Sequence, residues 1–297
     1  MQIHDHDSQI RFILPKAGVR GVSVRLQNAW QEILSHAQYS DAPRQLLGQA
    51  CAATALFTGH AKVNGRLSLQ LRSQGALRTL FAECTADATL RGIVKLAEGT
   101  DAPGDLRQLG PDALLAITIE NPGLDPLEPQ RYQSLVSLQA ATLPEALIDY
   151  FQQSEQLPTR LLLAANAHQA AGLMLQKLPG DKGDHDGWTR AGALFDTLGS
   201  AELLAVPNEL LLHRLFHEEE PEILARRPLR FACSCSRERV SAMLQSLGSD
   251  EAHAALADDQ AEIRCEFCGQ RYLFSEADVD ALFTSPAAGT PPSERLQ

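Results

Sequence analysis

Apolar and polar residues alternate strictly in several stretches before residue 180, which is the period of a strand with one buried face. The clearest stretches each place three apolar side chains on one face: Leu67, Leu69 and Leu71; Val22, Val24 and Leu26; Leu115, Ile117 and Ile119. Shorter patterns predict further strands over 77–83, 90–96 and 132–138, separated by turn signals such as Asn64-Gly65. The first part of the chain is therefore predicted to contain sheet.

Helical periods interleave with these strands. Asn28 is a candidate cap for a helix that runs through Leu34. The stretch 43–60 carries apolar residues in nearly every direction, and a helix of this kind is usually buried on all sides. Thr142 and Glu145 have the spacing of a capping box, which predicts a helix that ends near residue 156. We therefore expect an α+β fold, with sheets and helices around a buried central helix.

The composition changes after residue 179. A polar, glycine-rich stretch over 180–187 is typical of a domain boundary, and acidic residues outnumber basic ones from there to residue 220. The same segment has apolar residues at helical spacing: Trp188, Leu194, Phe195, Leu198, Leu211, Leu212, Leu215 and Phe216. Short helices need a surface to dock on. The segment is therefore interpreted either as ordinary packed helices or as a linker that docks conditionally.

The last part of the chain has the pattern of a small separate unit. A helix is predicted after Ser236, a hairpin over 262–274, and a final helix that begins at a capping box formed by Ser275 and Asp278. These patterns predict an N-terminal α+β core domain over 1–179, an acidic helical linker over 180–228 and a C-terminal domain over 229–284. The tail, 285–297, has too few bulky apolar residues to fold.

Charge and composition exclude some classes of function. The 297 residues contain 26 Lys and Arg against 37 Asp and Glu, a formal net charge of -11. This disfavours a nucleic-acid binder, which needs surplus cations to neutralise phosphates. No apolar run approaches the roughly 20 residues of a membrane span, and the N-terminus lacks a secretory signal pattern. We expect a soluble cytoplasmic protein that binds neither nucleic acid nor membranes.

Four of the six cysteines form a candidate metal site. Cys233 and Cys235 are separated by one residue, and Cys265 and Cys268 by two. Two such short loops supply four thiolates, the ligand set of a closed structural zinc site. A domain of this size has too small a core to be stable unaided, so a metal is expected to stabilise it. The spacing predicts one Zn²⁺ held by four cysteines, and an iron–sulfur cluster remains the alternative.

Zinc bound in this way would make folding of the C-terminal domain sensitive to oxidation. Metal binding contributes on the order of 10–16 kcal/mol to folding in small finger peptides. Oxidation of the thiolates to disulfides ejects the metal and removes that contribution, and the segment 188–220 is what the domain could then release. Nearby arginines either keep the thiolates reactive or only balance the charge of a static site: Arg230, Arg237, Arg239, Arg264 and Arg271. The other two cysteines, Cys51 and Cys84, are predicted to be buried core thiols.

These motifs resemble the thirty-three-kilodalton chaperonin family, the redox-regulated holdases of bacteria. The similarity is carried by Cys-x-Cys-Ser-Arg-Glu-Arg over 233–239 and by Cys-x-x-Cys-Gly over 265–269, followed by Tyr-Leu-Phe over 272–274. Further similar segments cover 150–156, 172–176 and 215–220. The resemblance therefore extends over nearly the whole chain.

The resemblance implies an ATP-independent chaperone that is inactive while reduced and zinc-bound. Peroxide or hypochlorous acid, usually with heat, would form the disulfides Cys233–Cys235 and Cys265–Cys268 and release the zinc. The C-terminal domain and linker would then unfold and expose apolar surface that binds unfolding client proteins. The resemblance also implies a homodimer in the active, oxidised state and a helix buried between sheets in the N-terminal domain.

Two other interpretations were weighed. One is a static zinc ribbon that binds a protein or nucleic-acid partner, which would not respond to oxidants. The other is an enzyme: His217-Glu-Glu-Glu-Pro221 is superficially similar to a zinc-protease helix, but proline occupies the place of the second histidine. Phosphate-binding and nucleophile motifs are lacking as well, so we expect no enzyme.

Overall fold

The computed structural model describes residues 6–123, 125, 128–180, 182–257 and 260–284. The chain forms two compact units, and the second unit begins at Cys233. The strands are β1 Ser8–Leu14, β2 Val19–Leu26, β3 Arg66–Arg72, β4 Leu77–Thr85, β5 Thr89–Leu96, β6 Leu114–Asn121, β7 Gln130–Val136, β8 Thr159–Ala165, β9 Ala170–Lys177, β10 Glu222–Pro228, β11 Arg230–Phe231, β12 Gln260–Arg264 and β13 Arg271–Ser275. The α-helices are α1 Asn28–Ser35, α2 Asp41–His60, α3 Leu143–Ser154, α4 Gly187–Asp196, α5 Ser200–Ala205, α6 Asn208–Phe216, α7 Arg237–Leu247, α8 Ser249–Ala254 and α9 Glu276–Thr284. Across the described ranges, none of these helices has both the length and the apolar character that a bilayer span needs.

Two sheets form the first unit. One has the strand order β10-β1-β2-β9-β8 and is antiparallel throughout. The other has the order β11-β5-β4-β3-β6-β7, and β11 pairs with β5 in parallel while the remaining neighbours are antiparallel. The six strands predicted before residue 140 are all present, and the last of them ends at Val136 rather than at residue 138. The α+β fold class is confirmed.

The central helix α2 lies between the two sheets. It contacts β2, β8 and β9 of the first sheet and β3, β4 and β5 of the second. The helix α2 can lie close to β8 because the residues at their contact are small. A Cβ atom added at Gly48 would lie 2.4 Å from the Cβ of Ala165. Most residues of α2 are buried, Cys51 among them. The prediction of a helix buried on all sides over 43–60 is confirmed.

The start of α1 corrects one sequence expectation. Asn28 is the first helical residue and not the cap. The carboxylate of Asp7 accepts hydrogen bonds from the backbone N–H groups of Gln27, Asn28 and Ala29 instead. The capping box at α3 is present as predicted, with Thr142 and Glu145 bonded reciprocally, although the helix ends at Ser154 rather than near residue 156.

The segment predicted as a helical linker packs against the first sheet. Side chains from α4, α5 and α6 form a second apolar cluster with β1, β2, β8 and β9, separate from the core around α2. The structure adds a strand to this segment, because β10 pairs with β1 at the sheet edge. The domain boundaries predicted after residues 179 and 228 remain a prediction. By its internal contacts, the first unit of the structure continues through β11.

The second unit is small. Helices α7, α8 and α9 pack with the β12–β13 hairpin around six buried residues: Val240, Leu244, Ala252, Ala261, Phe274 and Val279. The predicted helix after Ser236, the hairpin and the final capping box are confirmed, and α8 is an addition. The tail 285–297, expected to be disordered, lies outside the described residues. Six buried side chains are few for an independent domain, so the unit needs a further source of stability.

Candidate metal centre and docked linker

Two loops of the second unit bring four cysteine sulfurs together. Cys233 and Cys235 lie in the segment before α7, and Cys265 and Cys268 lie at the turn of the β12–β13 hairpin. The four Sγ atoms are all within 4.8 Å of one another. The Sγ–Sγ distance is 3.6 Å between Cys233 and Cys265 and 3.4 Å between Cys235 and Cys268. The predicted site residues therefore form one cluster of four half-buried sulfurs, which could hold one metal ion.

Local backbone geometry sets the shape of the hairpin loop. The backbone N–H of Cys265 donates to the carbonyl oxygen of Gln270 at 2.8 Å, and that of Gly269 donates to the carbonyl oxygen of Cys265 at 2.8 Å. Gly269 has a φ of 69°, in the left-handed region that glycine adopts without strain. A tight turn therefore follows Cys268, and it brings both hairpin sulfurs to the other loop.

Tyr272 on β13 connects the two loops at the sulfur cluster. Its hydroxyl donates a hydrogen bond to Sγ of Cys235, at 3.1 Å. Burial raises the pKa of the Cys235 thiol, but the hydrogen bonds that this sulfur receives, led by that from Tyr272, lower it to about 7. The same hydrogen bond raises the pKa of Tyr272 to about 12, so the hydroxyl remains a donor at neutral pH. Sequence reasoning noted Tyr272 only as part of a motif and missed this contact.

Two of the other sulfurs receive backbone donors. The N–H of Cys235 bonds to Cys233, and the N–H of Gln270 bonds to Cys268. Burial nevertheless raises the pKa of both Cys233 and Cys268, and contacts with the neighbouring sulfurs add to the rise. Binding of a cation must therefore displace protons from this cluster, as it does at other thiolate metal sites.

Two arginines near the cluster donate hydrogen bonds to backbone carbonyl oxygens. Arg237 donates to the carbonyl oxygen of Leu273 at 2.7 Å, and its guanidinium carbon lies 4.2 Å from the ring centroid of Phe274. Arg239 donates to the carbonyl oxygen of Ser234 at 2.8 Å. Arg237 therefore connects the start of α7 to β13, and Arg239 bonds to the loop that carries Cys233 and Cys235. In both cases the guanidinium is bonded to a backbone oxygen.

Ion pairs connect the two ends of the linker segment. Arg190 of α4 pairs with the buried carboxylate of Glu219, with Nη2 and Oε2 3.0 Å apart, and also with Asp186. The hydrogen bonds that Arg190 donates to these carboxylates, chiefly Glu219, raise its pKa. The pairing fixes both ends of the helical segment, because Arg190 lies near its beginning and Glu219 near its end.

Asn208, the first residue of α6, makes polar contacts between the linker segment and the sheet. It is 2% exposed and accepts a hydrogen bond from Ser23 at 2.8 Å, and its amide donates to the hydroxyl of Ser8 at 2.9 Å. Such buried polar pairs are costly when one partner is lost, so the docked arrangement is specific and not merely apolar.

The other residues that the sequence analysis considered, Cys51, Cys84 and His217, belong to the first unit. Cys51 and Cys84 are buried in the core of the first unit, as predicted, and burial raises the pKa of both thiols, that of Cys84 to about 12. His217 is exposed on a short 3₁₀ helix. Among the residues with described positions, the four cysteines are the one group of three or more side chains arranged to ligate a metal.

Sequence comparison identifies similar proteins over nearly the full length of the chain. The sequence model of the Hsp33 protein family matches residues 7–275. A 33 kDa chaperonin of Pseudomonas aeruginosa (strain UCBPP-PA14) is 41% identical over 98% of this chain and 99% of that protein. A 33 kDa chaperonin of Azotobacter vinelandii is 40% identical over 98% of this chain and 99% of that protein.

Structural comparison gives a matching fold. The crystal structure of a 33 kDa chaperonin, a heat shock protein 33 homolog from Thermotoga maritima, superposes with a TM-score of 0.73. It is 21% identical in sequence, and the match covers 93% of this chain and 97% of that one. At this identity the likeness bears on the fold alone.

Proposed function

Because the chain belongs to the Hsp33 protein family, we propose that it is a redox-regulated, ATP-independent chaperone of the cytoplasm. In this proposal it is inactive while its four clustered cysteines are reduced and hold zinc. Oxidation of the cysteines activates it to bind unfolding proteins and prevent their aggregation, with a homodimer as the active form. The observation that carries the proposal is the four-sulfur cluster in a unit whose described residues include six buried apolar ones.

The geometry of the cluster fits a single zinc ion. A regular tetrahedron with Zn–S bonds of about 2.3 Å has sulfur–sulfur edges of about 3.8 Å. Two of the distances here, 3.4 and 3.6 Å, are close to that value, and all lie within 4.8 Å. An iron–sulfur cluster, the alternative, contains several metal ions and needs wider spacing between its cysteines. Cys233, Cys235, Cys265 and Cys268 would therefore hold Zn²⁺, which when bound supplies a cross-link between the two loops.

Oxidation of the ligands removes this cross-link. Four thiolates, two molecules of hydrogen peroxide and four protons give two disulfides and four molecules of water, so each disulfide consumes one peroxide. We propose the pairs Cys233–Cys235 and Cys265–Cys268. Each pair closes a very short loop and leaves the two segments unconnected, whereas pairs across the loops would tie residues about 30 positions apart and would stabilise the unit again.

The pairing needs a direct measurement, because two close sulfur–sulfur contacts run across the loops, from Cys233 to Cys265 at 3.6 Å and from Cys235 to Cys268 at 3.4 Å. Peptide mapping of the peroxide-treated protein by mass spectrometry distinguishes the alternatives. We expect linked peptides that contain the pairs within each loop. Pairs across the loops would contradict the proposed opening of the second unit.

The surface that would bind clients lies under the linker segment. Side chains of α4 and α6 cover apolar residues of β1 and β9, including Phe12 and Leu173. Phe216 stacks on Phe12 with ring centroids 6.2 Å apart. Release of the linker segment after oxidation would expose the apolar faces of its helices and of the sheet beneath them. Contiguous apolar surface of this kind binds other apolar chains.

The proposal is tested by measuring chaperone activity and zinc content in both redox states. We expect the reduced, zinc-loaded protein to leave a heat-unfolding enzyme free to aggregate. Peroxide at elevated temperature is expected to release zinc and to suppress aggregation. The matched control replaces Cys51 and Cys84 by alanine, which keeps all four cluster sulfurs and is expected to switch as the unaltered protein does. Equal activity before and after peroxide would favour the static zinc ribbon instead.

A further inference from the structure

The hydroxyl of Tyr272 is the one side-chain donor, among residues whose positions are described, that bonds to a cluster sulfur without being a cysteine itself. Tyr272 pairs with Ile263 in the hairpin, so its backbone is fixed by β12 and β13. Its ring is half-buried against the core of the second unit. The hydroxyl is therefore held at Sγ of Cys235, 37 positions away in the sequence.

We propose that Tyr272 protects Cys235 from oxidants and thereby sets the peroxide dose at which the loop of Cys233 and Cys235 is oxidised. The inference rests on the proposed redox function and names a residue that tunes its threshold. The oxidation begins when a sulfur lone pair of the Cys235 thiolate attacks one peroxide oxygen. The O–O bond breaks, hydroxide leaves, and Cys235 becomes a sulfenic acid.

The second step completes the disulfide. The thiolate of Cys233 attacks the sulfur of the Cys235 sulfenic acid, an S–S bond forms, and hydroxide leaves. Peroxide is the oxidant and accepts two electrons in all. The Tyr272 hydrogen bond opposes the first step because it stabilises the negative charge on the sulfur, and this stabilisation is lost as the charge passes to the departing hydroxide. Hydrogen bonds to charged groups are stronger than those between neutral groups, so the opposition is substantial.

Cys233 and Cys268 receive their donors from backbone N–H groups. A backbone N–H remains a donor whichever side chain its residue carries, whereas the donor at Cys235 is lost when residue 272 is no longer tyrosine. Replacement of Tyr272 by phenylalanine removes only the hydroxyl and keeps the ring that packs in the core. The sensitivity of Cys235 to peroxide therefore depends on the single hydroxyl group of Tyr272.

The test compares zinc-loaded, full-length protein with two variants. Tyr272→Phe lacks the hydroxyl, and Val279→Ala loosens the same core while it keeps the hydroxyl, since Val279 is fully buried. Timed peroxide treatment, rapid alkylation and mass spectrometry give the oxidation rate at each sulfur. We expect Tyr272→Phe to raise the oxidation rate at Cys235 about three- to tenfold and to leave the rate at Cys265 unchanged. An increase of this size corresponds to a fraction of the free energy of a charge-assisted hydrogen bond.

Val279→Ala is expected to raise the rates at all four sulfurs together. The inference is overturned if Tyr272→Phe leaves the Cys235 rate unchanged, or raises all four rates in parallel as Val279→Ala does. If Tyr272→Phe binds less zinc, the ratio of Cys235 to Cys265 rates is compared in protein reloaded to one zinc ion per chain, where the same selective increase is expected. If the unaltered protein does not gain chaperone activity with peroxide, the proposed function fails. If it gains activity and Tyr272→Phe responds at the same dose, only the role of Tyr272 fails.

Discussion

Single residues of the second unit carry unequal shares of its stability. Its core contains one large fully buried aromatic side chain, Phe274, and few other apolar groups of comparable size. Each of the four clustered sulfurs, in contrast, would contribute a bond to an ion that joins two loops. Loss of one ligand therefore affects the unit more than loss of a typical surface contact.

We predict that Cys265→Ser weakens zinc binding and loosens the second unit in reducing buffer. Serine retains the size of cysteine but supplies a poor zinc ligand at neutral pH. Zinc affinity is expected to fall by more than the roughly 10–100-fold that loss of an outer hydrogen-bond partner costs. Metal content and limited proteolysis measure the effect, and Cys84→Ser serves as the control because Cys84 lies in the core of the first unit. Wild-type zinc content in Cys265→Ser would contradict the four-cysteine site.

At the scale of elements, α6 is one of three helices through which the linker segment contacts the sheet. Leu211, Leu212 and Phe216 are buried on one face, whereas Leu210 is 43% exposed on the other. Burial of a Leu or Phe side chain contributes roughly 1.5–3 kcal/mol. Several such side chains, together with Asn208, hold the helix in place in the reduced protein.

We predict that Leu212→Glu combined with Phe216→Glu gives partial chaperone activity without oxidant. The two carboxylates would be buried without partners in the docked arrangement, so the undocked state becomes relatively more stable. Aggregation suppression by the reduced variant measures the effect. Leu210→Glu places the same charge on the exposed face of the same helix and is expected to remain inactive until peroxide is added. A double variant that is silent and as protease-resistant as the unaltered protein would show that α6 docking does not control activity.

The same scale shows which elements could be predicted from sequence. Strands such as β3 were found because their side chains alternate between buried and half-exposed positions. Strand β9 was missed because nearly all of its residues are buried on both faces, so the alternation is lost. Asp7 could not be identified as the cap of α1, since it lies about 20 positions before the helix and local rules consider only adjacent residues. The cysteine cluster was found because metal ligands are spaced locally, whereas the Tyr272 contact joins two loops that only the fold brings together.

At the scale of the whole molecule, the two units differ in what stabilises them. The first unit has two sheets around α2 and a large core. The second has a core of six residues and a candidate metal site. Metal binding in finger peptides contributes on the order of 10–16 kcal/mol, which equals or exceeds the roughly 5–15 kcal/mol of net stability typical of a folded domain. Removal of the metal is therefore expected to unfold the second unit and to leave the first folded.

This difference can be measured without oxidation. We predict that a strong zinc chelator in reducing buffer abolishes hydrogen-exchange protection in α7, β12 and β13, while β2 and β9 remain protected. Because the thiols stay reduced, the experiment separates loss of the metal from formation of disulfides. Added zinc is expected to restore protection in the unaltered protein but not in Cys265→Ser. Unchanged protection of the second unit in chelator would mean that its fold does not depend on the metal, and oxidation could not then unfold it by removing the ligands.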